Sequence, residues 1–241
     1  MMKKNDENPS VGNDFCHEQA LHLVRLPEGL TLANGAMELR ADFSRMLSRA
    51  NPNKVHRELL VKATKIKSIP VENTLVVDAT AGLGEDSFLL AAAGFTVVMF
   101  ERDAAIAALL EDGLDRAAKD VRLAFIASRM SLRKEDSIAA LGSGNVAADI
   151  VLLDPMFPAR TKSAAVKKKF QLIHGLEDPC SDEQELLGAA LAAHPRKIVI
   201  KRPLKGPYLA GRKPSYSLSG KAVRYDCIAL APHASEQESN P

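Results

Sequence analysis

The chain has 241 residues, of which 46% are hydrophobic and 26% charged, so it is long enough to bury one substantial core. No apolar run approaches the roughly 20 residues that a transmembrane helix requires, and the charged start of the chain predicts no secretory signal. The three cysteines are far apart and form no ligand pattern with each other or with histidine, which predicts reduced thiols in a cytoplasmic protein without a metal site.

Basic residues are concentrated in the C-terminal half, although the net charge is only +2. Residues 160–224 contain 14 Lys or Arg against 5 Asp or Glu, a local balance of +9. Such an asymmetry favours a polyanionic partner, but it is also compatible with solvated charges on several unrelated surfaces.

The pattern of the chain divides it into four parts. Residues 1–20 and 232–241 have the composition of disordered ends, and residues 21–70 form an irregular N-terminal segment that includes some helical spacing. Residues 71–231 alternate short apolar runs with helical patterns, which predicts a mostly parallel, Rossmann-like α/β sheet with helices on both faces. The predicted strands are TLVVD (74–78), TVVMFE (96–101), VRLAFIA (121–127), DIVLLD (149–154), RKIVIKRP (196–203) and AVRYDCIAL (222–230).

A glycine loop, DATAGLGED, follows the first of these strands. Ligands of open α/β sheets bind beyond the carboxyl ends of the strands, where glycines let the backbone approach them closely. A dinucleotide-binding loop would present amides to a pyrophosphate, but here Glu85 and Asp86 bring negative charge to that place. The acids favour a ligand with a cationic end, such as S-adenosylmethionine (SAM), over NAD. We therefore predict that Asp78, Gly82, Gly84, Glu85 and Asp86 form part of a SAM site.

The second strand ends at Glu101, 17 residues after Gly84. A carboxylate at this place typically accepts hydrogen bonds from the ribose hydroxyls of an adenosine cofactor. Each feature alone has an ordinary structural explanation, since glycines make tight turns and acids complement a helix dipole. Their combination in one parallel sheet favours a cofactor site.

The fourth strand runs into DPMFP, residues 154–158, at the same predicted edge of the sheet. The exocyclic amine of a nucleobase is a weak nucleophile, so its methylation requires acceptors for its N–H groups and a surface that holds the base. Asp154 supplies a carboxylate, and Phe157 supplies a ring on which a base stacks, worth about 1–3 kcal/mol. Alone these residues are typical of a turn and a core aromatic. In this position they predict that Asp154 and Phe157 are catalytic.

Basic residues follow this motif and end the fifth strand. We predict that they contact the phosphates of RNA, which position a nucleic acid without reading its sequence. Taken one at a time, Lys167 and Lys168 are more typical of a solvated helix face than of a specific contact, and the RNA prediction rests on the group. The residues are Arg160, Lys162, Lys167, Lys168, Lys201 and Arg202.

Four stretches of the chain resemble the RsmJ-type ribosomal RNA methyltransferases, which use SAM to methylate N2 of a guanine in 16S rRNA. They are VVDATAGLGED, ERDAAIAALLEDGL, LLDPMFPARTKSAAVKKK and KIVIKRP, between about residues 76 and 202. The resemblance implies a class I methyltransferase fold, SAM as cofactor, and 16S rRNA or the small ribosomal subunit as partner. It implies cofactor contacts at Glu85, Asp86, Glu101, Arg102, Ser128, Arg129 and Asp154.

Two other functions are compatible with the sequence. A SAM-dependent enzyme of the same fold would act on DNA, a protein amine or a small molecule, and a non-catalytic RNA-binding or ribosome assembly factor would retain the fold alone. The presence of both Glu101 and Asp154 favours an enzyme. The sequence predicts no particular oligomeric state.

Overall fold

The computed structural model describes residues 21–34, 37–155 and 182–230. The predicted disordered ends lie outside these ranges. Within them, no helix has the length and apolar character needed to cross a membrane.

The N-terminal segment is regular rather than irregular, because it folds into a small sheet and three short helices. The sheet is antiparallel, with β1 (His22–Leu26), β2 (Gly29–Ala33) and β3 (Glu38–Leu39) in that order. A 3₁₀ helix (Phe43–Met46) and the helices α1 (Pro52–Val55) and α2 (Leu59–Thr64) follow.

The main sheet has seven strands in the order β6-β5-β4-β7-β8-β10-β9. Neighbouring strands are parallel from β6 to β8, whereas β10 is antiparallel to β8 and to β9. This arrangement confirms the predicted Rossmann-like fold. The strands are β4 (Leu75–Asp78), β5 (Thr96–Phe100), β6 (Met130–Arg133), β7 (Ile150–Leu153), β8 (Lys197–Pro203), β9 (Tyr216–Ser219) and β10 (Val223–Ala229). The helices are α3 (Glu85–Ala92), α4 (Ala104–Lys119), α5 (Ala124–Ala127), α6 (Ser137–Gly142) and α7 (Glu183–Ala192).

Helices cover both faces of the sheet, which explains why the central strand β7 is apolar at every position. In β7, Ile150 and Leu152 pack into the same cluster as α3 on one face. The alternate residues Val151 and Leu153 pack into the cluster that contains α7 on the other face.

The N-terminal sheet is attached to α4 through one buried carboxylate. Asp112, 8% exposed, accepts hydrogen bonds from Arg25 Nη1 at 2.8 Å, Leu30 N at 3.0 Å and Arg116 Nε at 2.8 Å. Phe43 stacks on Phe88 of α3 with 4.9 Å between the ring centroids. These contacts bring the N-terminal segment against α4 and against α3, the helix that follows the glycine loop.

The third strand was predicted wrongly at residues 121–127. That stretch forms a turn and α5, in which Leu123 and Ala127 are buried at helical spacing while Val121 and Phe125 are exposed. The third strand is instead β6, which lies at the edge of the sheet. Its alternation of apolar and polar residues reflects that edge position. The strand β9 was not predicted at all.

Candidate cofactor and acceptor site

The order of the strands reverses beside β4, because the chain first builds β5 and β6 on one side and then returns to β7 on the other. Open α/β sheets bind ligands at this point, outside the carboxyl ends of the strands. Asp78 ends β4, Glu101 follows β5 and Asp154 follows β7. The structure therefore brings the three predicted carboxylates to one edge of the sheet.

Asp78 fixes the shape of the glycine loop. Its Oδ1 accepts a hydrogen bond from Thr80 N at 3.2 Å, and its Oδ2 accepts one from Ser87 Oγ at 2.6 Å. Burial raises the pKa of this carboxyl to about 7, and the nearby charges of Asp86 and Asp154 act in the same direction. With only 2% of its surface exposed, Asp78 stabilises the loop from the interior of the protein.

Replacing Asp78 with asparagine is expected to make the free energy of unfolding less dependent on pH. The pKa rises from an ordinary 3.8 to about 7 on folding, so the folded state holds an extra proton between these values. Wild-type stability therefore falls as the pH rises through that window. Asparagine keeps an acceptor for the Thr80 amide but carries no charge. Urea unfolding of wild type and variant at about pH 4.5 and pH 7.5 checks this. An equal decrease of the free energy of unfolding between the two pH values in both proteins would contradict it.

The two glycines of the loop have different roles. Both have left-handed backbone conformations, with φ of +54° at Gly82 and +73° at Gly84. A Cβ on Gly84 would lie 2.7 Å from Leu110 Cδ1 and 3.3 Å from Phe43 Cζ, so this glycine is required for packing. A Cβ on Gly82 would meet nothing within 4 Å. The open side of Gly82 thus fits a ligand that approaches the backbone.

Alanine substitutions are expected to separate these roles. Gly84→Ala should lower the free energy of unfolding by about 2–5 kcal/mol, because a left-handed conformation and overpacking both oppose it. Gly82→Ala should lower it by only about 1–2 kcal/mol, while weakening SAM binding because the methyl group fills the open side. Urea unfolding without SAM and calorimetric titration with SAM measure the two effects. Equal destabilisation by both variants would refute the assignment.

Glu101 joins the glycine loop to the start of α4. Its Oε2 accepts a hydrogen bond from Gly82 N at 3.0 Å, and its Oε1 accepts one from Asp103 N at 2.9 Å. Asp103 in turn caps α4 by accepting from Ala105 N and Ile106 N. Two backbone donors use about half of the accepting capacity of a carboxylate. The residue is 6% exposed, and its contact with the ribose stays a prediction.

Lys201 lies between two carboxylates from different parts of the chain. Its Nζ donates to Asp86 Oδ2 at 2.6 Å and to Asp154 Oδ2 at 2.8 Å. Burial opposes protonation of this amine, but the charges of Asp154 and Asp86 outweigh it and hold the pKa of Lys201 well above its ordinary value. Lys201 was predicted to contact RNA phosphates, and these contacts correct that prediction. Its ammonium is instead bonded to two carboxylates of the candidate site. The hydrogen bond from Lys201 also orients the Asp86 carboxylate toward the ammonium.

Asp154 is oriented on two sides. Its backbone amide donates to Thr80 Oγ1 at 2.6 Å, and its carboxylate accepts from Lys201. Its side chain is 39% exposed, so it remains accessible from the crevice. Tyr225 of β10 lies opposite Lys201 in the sheet, and burial raises the pKa of its hydroxyl. Neither Thr80 nor Tyr225 was predicted, because neither belongs to a charged pattern in the sequence.

Arg102 lies close to Asp136, a residue that was not predicted to belong to the site. Its Nη1 lies 3.5 Å from Asp136 Oδ2 and 3.9 Å from Asp182 Oδ2. Asp136 follows β6 and caps α6 by accepting from Ile138 N at 2.7 Å. The signal was present, because an aspartate directly before a helical pattern is typical of an N-cap. It was hidden by the wrong position of the third strand.

The structure does not bring Ser128 and Arg129 to this site. Both precede β6, so they lie at the amino ends of the strands rather than the carboxyl ends. Arg129 Nη1 donates to Gly94 O at 2.9 Å, and Ser128 Oγ donates to Phe125 O at 2.8 Å. Their predicted contact with the cofactor depended on the misplaced strand.

Arg202 is also corrected, because its guanidinium is turned into the protein. Its side chain has an exposed fraction of 0%, with Nε donating to Pro207 O at 2.9 Å and Nη1 lying 3.4 Å from Glu183 Oε1. It therefore stabilises the C-terminal part of the fold instead of facing RNA. Glu85 is exposed in the first turn of α3. Phe157, Arg160, Lys162, Lys167 and Lys168 lie outside the described residues.

No group of three or more His, Cys, Asp or Glu side chains within residues 21–34, 37–155 and 182–230 has the arrangement of a metal site. What the described site offers is a set of carboxylates, one ammonium and an open glycine. Such a set fits an adenosine cofactor with a cationic end and an acceptor that carries N–H groups.

Comparison with known proteins agrees with this fit. The family model described as "Putative SAM-dependent methyltransferase" matches residues 12–229. A ribosomal RNA small subunit methyltransferase J from Thioalkalivibrio sulfidiphilus is 42% identical, over 86% of this chain and 83% of that relative. The protein of that name from Hahella chejuensis is 44% identical, over 72% of this chain and 64% of its own length.

A solved structure leads to the same family. The crystal structure of a SAM-dependent methyltransferase from Neisseria gonorrhoeae is 31% identical, with a TM-score of 0.70 and coverage of 93% of this chain and 88% of the other. The chain therefore belongs to the family of SAM-dependent methyltransferases that includes the relatives named ribosomal RNA small subunit methyltransferase J, and its cofactor is SAM.

Proposed function

We propose that this protein transfers a methyl group from SAM to N2 of a guanine in 16S rRNA, in the cytoplasm. One observation carries the proposal: Asp154, oriented by Thr80 and Lys201, lies at the same sheet edge as Glu101. The names of the relatives support ribosomal RNA of the small subunit as the substrate. The choice of a guanine amine rests on the resemblance of the sequence around DPMFP to the RsmJ-type enzymes.

The cofactor end of the site is built by the glycine loop and the carboxyl ends of β4, β5 and β6. When bound there, SAM supplies a methyl group on a positively charged sulfur. Glu101 accepts hydrogen bonds from the ribose, and the open side of Gly82 lets the backbone approach the cofactor. Arg102 and Asp136 lie beside this end of the site, and Glu85 contributes negative charge.

The acceptor end depends on Asp154. Its carboxylate accepts a hydrogen bond from the exocyclic amine and thereby turns the nitrogen lone pair toward the methyl group. Lys201 keeps a positive charge next to Asp154, so the carboxylate orients the amine while the proton lost after transfer passes to water. Phe157 follows three residues later and is proposed to stack on the base.

The test uses small ribosomal subunits from a strain that lacks the gene. The purified protein and tritium-labelled SAM are added, and the rRNA is digested to nucleosides. Label in N2-methylguanosine is the expected result. Label in a different nucleoside would overturn the guanine N2 assignment, and the absence of label from a protein that binds SAM in calorimetry would overturn the rRNA substrate.

A further inference from the structure

The N-terminal segment has a strongly basic surface in addition to the predicted RNA-binding residues. Residues 45–67 contain seven Lys or Arg and a single acidic residue, Glu58. Arg45 is paired with Asp42 at 3.1 Å, and Arg49 is paired with Glu58 at 2.8 Å. The other five form no salt bridge within the described part of the chain and are exposed; they are Lys54, Arg57, Lys62, Lys65 and Lys67.

The segment runs along the main sheet from the carboxyl ends of its strands to their amino ends. We call these two ends of the strands the two edges of the sheet here. A Cβ on Gly220, in the turn between β9 and β10, would lie 3.2 Å from Leu59 Cδ2, so α2 begins at the carboxyl end of β8. At the other end, the Nζ of Lys197, the first residue of β8, donates to Ala63 O at 3.0 Å and Lys65 O at 2.6 Å. Because β8 has seven residues, the two edges are roughly 20 Å apart.

The stretch before α2 therefore lies beside the candidate site. The hydrogen bond to Glu58 raises the pKa of Arg49, and the charge of Asp86 adds to that effect. Asp86 is the carboxylate that shares Lys201 with Asp154. Lys54 lies in α1 and Arg57 in the turn between α1 and α2, where Arg57 N donates to Lys54 O at 2.8 Å. Both are within five residues of Leu59, at which α2 begins near the carboxyl end of β8.

Two further lysines extend the same surface. Lys205 follows β8 and Lys221 precedes β10, and the two loops are joined by a hydrogen bond from Leu204 N to Ala222 O at 3.4 Å. The buried guanidinium of Arg224 holds the first loop in place by donating to the carbonyls of Pro203, Leu204 and Gly206. We call the exposed residues Lys54, Arg57, Lys205 and Lys221 the basic rim.

We propose that the basic rim binds phosphates of the RNA that presents the target base to Asp154. The inference rests on the proposed function, since it names the surface that holds that substrate. Four exposed cations at the carboxyl edge, without an acidic partner among the described residues, complement a phosphate backbone. Lys65 and Lys67 have the same charge but lie toward the opposite edge, where they do not contribute.

The experiment compares two double variants that each remove two positive charges from the same segment. Lys54→Gln with Arg57→Gln removes half of the rim, and Lys65→Gln with Lys67→Gln is the matched control. Binding to deproteinised 16S rRNA is measured across a series of KCl concentrations, and SAM affinity is measured by calorimetry. The rim variant should bind RNA on the order of tenfold more weakly, with the slope of log K against log salt reduced by about 1.4–1.8. The control should match wild type, and both variants should bind SAM normally.

The outcomes separate this proposal from the one on which it rests. Wild-type RNA affinity and salt slope in the rim variant, or an equal loss in the control, would overturn the basic rim even if wild-type protein methylates rRNA. Failure of wild-type protein to methylate rRNA would instead overturn the proposed function. If only the rim variant lost SAM affinity, the basic rim would also contribute to cofactor binding, and the proposal that it serves RNA binding alone would be overturned.

Discussion

Replacing Asp154 with alanine is expected to reduce kcat for methyl transfer by about 10²- to 10³-fold, the usual effect of removing one preorganised hydrogen-bonding group from an active site. The carboxylate is oriented by Thr80 and Lys201 before the substrate binds. In the proposed reaction, its removal leaves the amine without an acceptor for its N–H group, whereas most of the cofactor end is unchanged. SAM affinity should therefore change by less than about tenfold. Single-turnover transfer to small subunits, combined with calorimetry, measures both quantities.

Asp149 provides the matched control, because it lies at the opposite end of β7. Its Oδ2 accepts a hydrogen bond from Leu75 N at 2.8 Å, and its Oδ1 lies 3.4 Å from Arg196 Nε. Asp149→Ala should lower the stability of the sheet but leave kcat close to wild type. Equal losses of kcat in the two variants would contradict a catalytic role for Asp154. If Asp154→Ala restored every cellular role of the gene without methylation, a non-catalytic assembly factor would be the better description.

Replacing Glu101 with glutamine is expected to raise the Kd for SAM by about 10- to 100-fold. One carboxylate oxygen becomes an amide NH₂ group, which faces either Gly82 N or Asp103 N, and two donors cannot bond each other. The loss of charge should also weaken the proposed bonds to the ribose, because a hydrogen bond to a charged group contributes about 1.5–3 kcal/mol. Calorimetric titration with SAM checks the prediction.

Glu111→Gln is the control for that substitution, since Glu111 is exposed on α4 and pairs only with Lys134 at 2.6 Å among the described contacts. Surface pairs of this kind contribute little. Its SAM affinity should equal that of wild type. A Glu101→Gln protein with unchanged SAM affinity would show that Glu101 serves the loop alone.

The sequence predicted the central strands of the sheet correctly because burial on both faces makes them continuously apolar. The strand β7, with Ile150 to Leu153, is the clearest case. The edge strand β6 lacks that pattern, since its Ser131 and Arg133 are exposed. The apolar residues of 121–127 then drew the prediction away from it. Because of that one error, Asp136 was not included in the predicted site, whereas Ser128 and Arg129 were.

The charged residues of the site were harder to interpret, because the sequence does not reveal which charges meet. Lys201 is 115 residues from Asp86 and 47 residues from Asp154 along the chain, yet it bonds both. From composition alone it was one of many lysines in a basic stretch. The fold also turned Arg202, its neighbour, to the interior, where it lies against Glu183. Successive residues of a strand point to opposite faces, so adjacent basic residues do not share a role.

The position of Lys201 also has a thermodynamic consequence. A single ammonium compensates a carboxylate of the cofactor loop and a carboxylate of the acceptor loop, so a movement toward one lengthens its bond to the other. Any rearrangement of Asp86 that accompanies cofactor binding would then change the hydrogen bond between Lys201 and Asp154. Linkage requires this communication to be reciprocal: whatever factor SAM applies to the affinity for the acceptor, the acceptor applies to the affinity for SAM. A movement of Asp86 on SAM binding would therefore couple the two substrates of the reaction through this one side chain.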